Sequence, residues 1–124
     1  MTRYRKMNIN EVGKVYKRPW GNYRTIELVD GYQVKVITVT PNGQLSLQKH
    51  FQRVEHWLVV KGSPTFTIGE SKKVYHVSEH VYIEKKEIHR IENKTCEPCK
   101  IIEIQIGDYL GEDDIVRLED IYNR

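Results

Sequence analysis

Residues Leu45 to Gly62 read LSLQKHFQRVEHWLVVKG, and two features of that run decide the kind of fold it belongs to. The first is alternation. Side chains two apart share a face in a strand, so Ser46, Gln48, His50 and Gln52 stand on one side and Leu45, Leu47, Lys49, Phe51 and Arg53 on the other. The second is the apolar, β-branched stretch after His56, which reads as a buried strand ending at Gly62. Gln48, His50, Gln52, Glu55 and His56 crowd into this span, which raises the question of what they are arranged around. Periodicity lets Gln48 and His50 share a cavity, or His50 and Gln52, and does not choose between the pairs.

Outward from this stretch the same grammar continues. YQVKVITV (Tyr32–Val39) alternates, PNG (Pro41–Gly43) is a turn, and PTFTIGE and KKVYHV read as strands. EHVYIEKKEIHRIEN supplies two short strands around a charged turn, and CKIIEIQIG closes the series at Gly107. Strands every ~8 to 12 residues without a helical period between them predict an all-β sandwich or barrel. The ends differ. In KRPWGNY, Pro19 and Gly21 are expected to break any regular element around Trp20. In LGEDDIVRLEDIYNR, acids come first and Arg117 and Arg124 later, which predicts a short C-terminal helix packed outside the barrel, with both arginines on one helix face. Residues 1–14 are read as an N-terminal arm and 15–124 as a single domain.

Composition narrows the function. The 124 residues are 39% hydrophobic and 30% charged, and no apolar run approaches the ~18 residues a membrane span needs. The basic start MTRYRKMNIN is followed by no apolar core of a signal peptide, so neither leader nor anchor is expected and the cytoplasm is the expected location. The net charge of +3 is spread among acids, which argues against a nucleic-acid groove but suits a small anionic ligand. Cys96 and Cys99 form a solitary CEPC with no second pair for a four-ligand zinc site, and read as a tight turn carrying two thiols. His76 and His80 read as surface residues, and Trp20 and Trp57 as packing residues.

The spacing of these residues resembles the cupin superfamily, whose first motif places a His-x-His pair, then a Glu, then a Gly. Glu55 precedes Gly62 by six intervening residues, and four residues separate it from His50, so Glu55 takes the glutamate position and Gln48 stands where many cupins have their first histidine. The second motif, Pro-x-Gly-x-x-His-x-x-x-Asn, is matched by EKKEIHRIEN with His89 and Asn93 in place and Glu84 and Lys86 substituting the proline and glycine. The resemblance implies a double-stranded β-helix, or jelly-roll barrel, holding a divalent metal on Gln48, His50, Glu55 and His89. Such an N₂O₂ set suits zinc first, with cobalt, manganese or nickel as alternatives.

RPWGNY (Arg18–Tyr23), LSLQKH, the Arg53–Trp57 segment, HRIEN (His89–Asn93) and IEIQIGDYLGEDDIVRLEDIYNR (Ile102–Arg124) resemble, more closely, the cupin domain of type II mannose-6-phosphate isomerases. In that family the domain usually follows a mannose-1-phosphate guanylyltransferase domain in one chain that serves GDP-mannose and polysaccharide biosynthesis. Only the isomerase-like half is represented here, so a free-standing cupin without guanylyltransferase activity is expected. The resemblance implies a metal-dependent aldose–ketose isomerase that interconverts mannose 6-phosphate and fructose 6-phosphate through a cis-enediol. It places Glu103, His56 and Arg53 in the chemistry, and Arg18, Arg117, Arg124 and Ser78 on the substrate. Alternation in IIEIQ puts Glu103 inside with Gln105 and makes it the preferred base, whereas His56 faces away from Glu55 unless a bend disturbs the pleat. Three positions depart from the family: Gln52 and Ser78 replace its usual His and Asn, and Asn123 its usual Gly. The alternative reading is a non-catalytic sugar-phosphate-binding cupin, or an accessory subunit of a separate guanylyltransferase. A homodimer formed through an exposed barrel edge is expected.

Overall fold

The structure is a computed structural model that describes residues 8–122, and among these it contains eleven strands and no α-helix. The strands are β1 (Val15–Arg18), β2 (Gly21–Val29), β3 (Tyr32–Val39), β4 (Leu47–Lys49), β5 (Arg53–Lys61), β6 (Thr65–Ile68), β7 (Ser71–Val74), β8 (His80–Ile83), β9 (His89–Glu92), β10 (Cys99–Gly107) and β11 (Val116–Glu119). They form two antiparallel sheets, one in the order β1-β2-β3-β10-β5-β8 and the other β11-β4-β9-β6-β7. After the β1–β3 meander the chain crosses back and forth between the two sheets, interrupted only by the β6–β7 hairpin, so this is the double-stranded β-helix expected from the sequence. Among the described residues no helix is long and apolar enough to cross a membrane.

One register explains why the barrel has a solid end and a hollow one. Along β10, Cys99, Ile101, Glu103 and Gln105 point inward; their partners on β3 are Val39, Ile37, Lys35 and Gln33. On β5, Ile101 meets Val59, Glu103 meets Trp57 and Gln105 meets Glu55. All three strands thus change from apolar to polar interior at about the same level. Val39, Val59, Phe66, Ile91, Cys99 and Ile101, each at most 1% exposed, plug one end. The Trp57 and Phe66 rings meet edge to face across the plug at 4.8 Å. Beyond that plug the inward side chains are Thr25, Gln33, Lys35, Glu55, Glu103 and Gln105.

Two sequence expectations are corrected. The predicted C-terminal helix is a strand: β11 runs antiparallel to β4, with Val116 opposite Lys49 and Arg117 opposite Gln48. Helix propensity is a weak preference, and an unpaired edge next to Ile115 and Val116 outweighs it. The helix-face argument for Arg117 and Arg124 lapses with it, and Arg124 lies outside the described residues. KRPWGNY, expected to interrupt regular structure, instead makes a hairpin in which Pro19 and Trp20 are the two turn residues between paired Arg18 and Gly21. A Cβ on Gly21 would lie 2.0 Å from the Thr38 carbonyl oxygen, so the glycine permits the close approach of β2 to β3. The segment before β1 is stitched into the barrel at Asn10, which donates to Gln33 and accepts from Tyr23.

Gly62, which sets the motif count, closes β5 at φ +79°, where a Cβ would lie 2.9 Å from Cys99 Sγ and from the Pro98 carbonyl. Gly62→Ala is therefore expected to cost about 1–3 kcal/mol. Urea unfolding should show a lower midpoint at unchanged slope, and an unchanged midpoint would contradict this account of the turn.

Candidate functional site

At the hollow end, His50, Glu55 and His89 bring their ligand atoms within 4.8 Å of one another. The backbone fixes both imidazole tautomers. His50 Nδ1 lies 2.5 Å from the Asp114 carbonyl and His89 Nδ1 lies 2.8 Å from the Glu87 carbonyl; a carbonyl only accepts, so each Nδ1 carries the proton. That leaves the Nε2 lone pairs turned toward Glu55, at 3.3 Å from Oε2 for His50 and 3.8 Å from Oε1 for His89. Gln48, directly across the ladder from His89, donates its Nε2 to the Ser46 carbonyl at 3.3 Å and lines the same pocket. Two imidazole nitrogens, a carboxylate and an amide oxygen would suit a divalent metal. Arg53 already uses part of this set: its Nε donates to Glu55 Oε2 at 2.9 Å and its Nη2 lies 3.2 Å from His50 Nε2.

Burial lowers the His50 pKa to about 4, with Arg53 and His89 acting in the same direction against Glu55, so the imidazole is neutral at physiological pH. Burial alone would raise the Glu55 carboxyl, but Arg53, His50 and His89 outweigh it and hold it well below the usual carboxylate range. Glu112 is likewise held at about 2, its burial outweighed by Lys35, which donates to it at 2.8 Å, and by Arg53. Glu103 is different. Burial, reinforced by the Glu55 charge, pushes it up to about 7, with Lys35 and Arg53 resisting.

Residues 5–120 match the family model described as mannose-6-phosphate isomerase C-terminal. The chain belongs to this family. Xanthan biosynthesis protein XanB of Xanthomonas campestris pv. campestris is 49% identical over 111 residues, 90% of this chain and 24% of XanB. Alginate biosynthesis protein AlgA of Pseudomonas aeruginosa is 46% identical over 107 residues, 86% of this chain and 22% of AlgA. The chain thus spans about a quarter of the length of these relatives. Among solved structures, a double-stranded β-helix protein of Klebsiella pneumoniae superposes with a TM-score of 0.70 over 93% of this chain and 94% of its own, at 13% identity, which bears on the fold alone.

Within this family member, Gln48, His50, Arg53, Glu55, His89, Glu103, Arg18 and Arg117 all line one pocket. His56 does not: it lies on the outer face of β5 with its ring 4.9 Å from that of Tyr82, because strict alternation from buried Glu55 is kept through this strand. Ser78 does not line it either. It is exposed in the turn before β8, at φ +81°, and donates its N–H to the Val59 carbonyl. An asparagine at that position suits the left-handed conformation, so the family's preference there is accounted for by the turn. The CEPC cysteines are free, Cys96 exposed and Cys99 buried. Asn93 is a structural tie, donating to the Val39 and Glu97 carbonyls.

Sequence reasoning passed over Lys35, Ser46 and Asp114 as site residues, and read Trp57 as packing alone. Lys35 faces Glu103 in the β3–β10 ladder and could have been found from the alternation of YQVKVITV, which puts it on the face of buried Ile37 and Val39. Ser46 lines the pocket with a buried hydroxyl that has no partner among the described residues. Trp57 Nε1 donates to Glu55 Oε1 at 3.0 Å. The Asp114 carboxylate accepts the backbone N–H groups of Phe51 and Gln52 at 3.0 and 2.9 Å, holding the turn that follows His50, a role no local pattern reveals.

Two predictions follow from this geometry. Asp114→Ala releases the turn after His50 and is expected to weaken the binding of an added divalent metal about 10–100-fold in calorimetric titration, whereas unchanged affinity would show that the turn does not aim the imidazole. Glu103 binds its proton more tightly in the folded metal-free chain, at about 7 against an ordinary 4.5, so stability falls as pH rises through that window. Glu103→Gln removes the penalty. Thermal melts of metal-stripped protein should show the variant ahead by roughly 1–3 kcal/mol above about pH 7, the gain fading below about pH 4.5.

Proposed function

We propose that this domain is a metal-dependent aldose–ketose isomerase acting on mannose 6-phosphate and fructose 6-phosphate. The observation that carries the reading is a buried carboxyl poised near neutrality, Glu103, in the same pocket as the His50–Glu55–His89 cluster. Family membership and the biosynthetic relatives support the substrate class. His50, His89, Glu55 and Gln48 would hold the metal, zinc first among the candidates. Bound there, it would supply Lewis-acid stabilisation of the negative charge that builds on the sugar's C1 and C2 oxygens.

The protein's own groups account for the rest. Glu103, whose carboxyl burial raises toward neutrality in the metal-free chain, takes the C2 proton of the aldose and returns it to C1 through the cis-enediol, while the hydroxyl proton passes from O2 to O1. Arg53 keeps a buried Nη1 with no partner among the described residues and lines the pocket, ready to donate to an enediolate oxygen. Lys35 lies opposite Glu103 and favours its ionised form against the larger effects of burial and the Glu55 charge. Arg18 and Arg117 line the pocket from β1 and β11, exposed, and among the described residues neither is paired with a carboxylate, so they suit the phosphate dianion. Arg90, tied to Glu119 at 2.6 Å, is already neutralised.

The test is a coupled assay of mannose 6-phosphate turnover with added zinc, cobalt or manganese, alongside metal analysis. Turnover is expected, with Glu103→Gln lowering kcat about 10²–10⁴-fold while metal content stays unchanged. Sugar phosphate and metal binding without turnover under any metal would leave a binding module and sink the enzyme reading.

A further inference from the structure

The hollow half of the barrel turns the usual polarity of a sheet inside out. Where β10 points Glu103 and Gln105 inward, it points Ile102, Ile104 and Ile106 outward. The ladders extend this into rows across the outer face: Val36, Ile102 and Leu58 in one, and Val34, Ile104, His56 and Tyr82 in the next. Leu58, Tyr82 and Ile104 are 38%, 49% and 36% exposed, and no element among the described residues packs over them. With Val60, Ile106 and Tyr32 at its margins, the face is a contiguous apolar patch on the order of several hundred Å². A contiguous apolar patch of that order, rimmed by charged side chains, is the kind of surface that marks an interaction site.

The charges beside the patch say what covers it. At the level of Val36 and Ile102 the exposed side chain of β2 is Arg24; one step along, at the level of Val34 and Ile104, it is Glu27. Lys61 and Lys100 pair at the basic end, and Asp30 lies in the hairpin at the acidic end. We propose that this face packs against the same face of a second copy of the chain, about a two-fold axis running across the strands. That operation reverses the strand direction of the copy while keeping β2 above β2. Arg24 of one protomer then meets Glu27 of its partner twice, and the apolar rows lie against one another as in an aligned sandwich. The alternative axis, along the strands, would invert the strand order and lay β2 over β8, setting Arg24 against His80 and Glu27 against Tyr82 and leaving neither charge with an opposite partner. His56, which the pocket does not use, lies within this interface.

Sedimentation equilibrium of the full chain from about 1 to 100 µM tests this without reference to activity. A dimer of the 14.7 kDa chain is expected. Ile104→Lys, a change at an exposed position, should raise the dissociation constant at least ~100-fold. Arg24→Glu and Glu27→Arg should each raise it ~10-fold, and the double variant should return it to near the parent value. A monomer throughout the range would overturn the proposal, as would a dimer indifferent to Ile104→Lys. Charge reversals that fail to compensate would overturn the proposed axis.

Discussion

The arrangement hangs on a single buried carboxylate. Glu55 is 2% exposed, and an ionised group so placed is tolerated only when both its oxygens are met. Trp57 Nε1 meets one and Arg53 Nε the other. These donors sit two residues to either side of Glu55 on β5, so the pleat itself delivers them to the same face. One partner roots the carboxylate in the apolar plug through the Trp57 ring, and the other ties it to the open cavity. The boundary between the solid and hollow halves of the barrel therefore passes through this residue, and the two histidines are aimed at it by carbonyls from separate loops.

The charge balance of the cavity explains why one carboxyl behaves unlike its neighbours. Glu55 and Glu112 are held ionised, and Arg53 and Lys35 are the cations that hold them. Those four charges cancel. Glu103 is the third carboxyl in a space with two buried cations already engaged, so its ionisation meets desolvation and the Glu55 charge with only residual help. Its position near neutrality follows from that count more than from any one contact. Beside a bound divalent cation the balance would move the other way and make Glu103 a stronger acid.

Much of this was legible in the sequence because strand alternation is an exact geometric rule. It put Glu103 and Gln105 inside, turned His56 away from Glu55, and left Gln48 and His50 on one face. What local pattern could not supply was competition between elements. The acids and arginines after Gly111 satisfy a helix in isolation, yet β4 offered Val116 and Arg117 an open edge to pair with. Pro19 and Gly21 read as breakers because the turn they make has meaning only once β1 and β2 are paired. Ser78 was expected at the substrate because of its aligned position, whereas its backbone angle shows that the position serves a turn. Lys35 was readable from alternation but hidden by the assumption that a strand's inner face is apolar.

That assumption fails here for a reason that ties the site to the surface. A polar cavity removes apolar burial from half of the sheet's inner face, and ladder hydrogen bonds contribute only modest net stability in its place. The strands β3, β10 and β5 still carry β-branched residues, because these suit the pleat, and the only face left for them is the outer one. The precision with which Glu55, Glu103 and Lys35 are held then depends on what lies behind the same strands. A cover over Ile102, Ile104 and Leu58 would restrain the backbone that positions the cavity, since each of these residues is adjacent in sequence to one that faces it. Polarity inside and apolarity outside are thus two consequences of one requirement, that three neighbouring strands carry a charged pocket and remain a sheet.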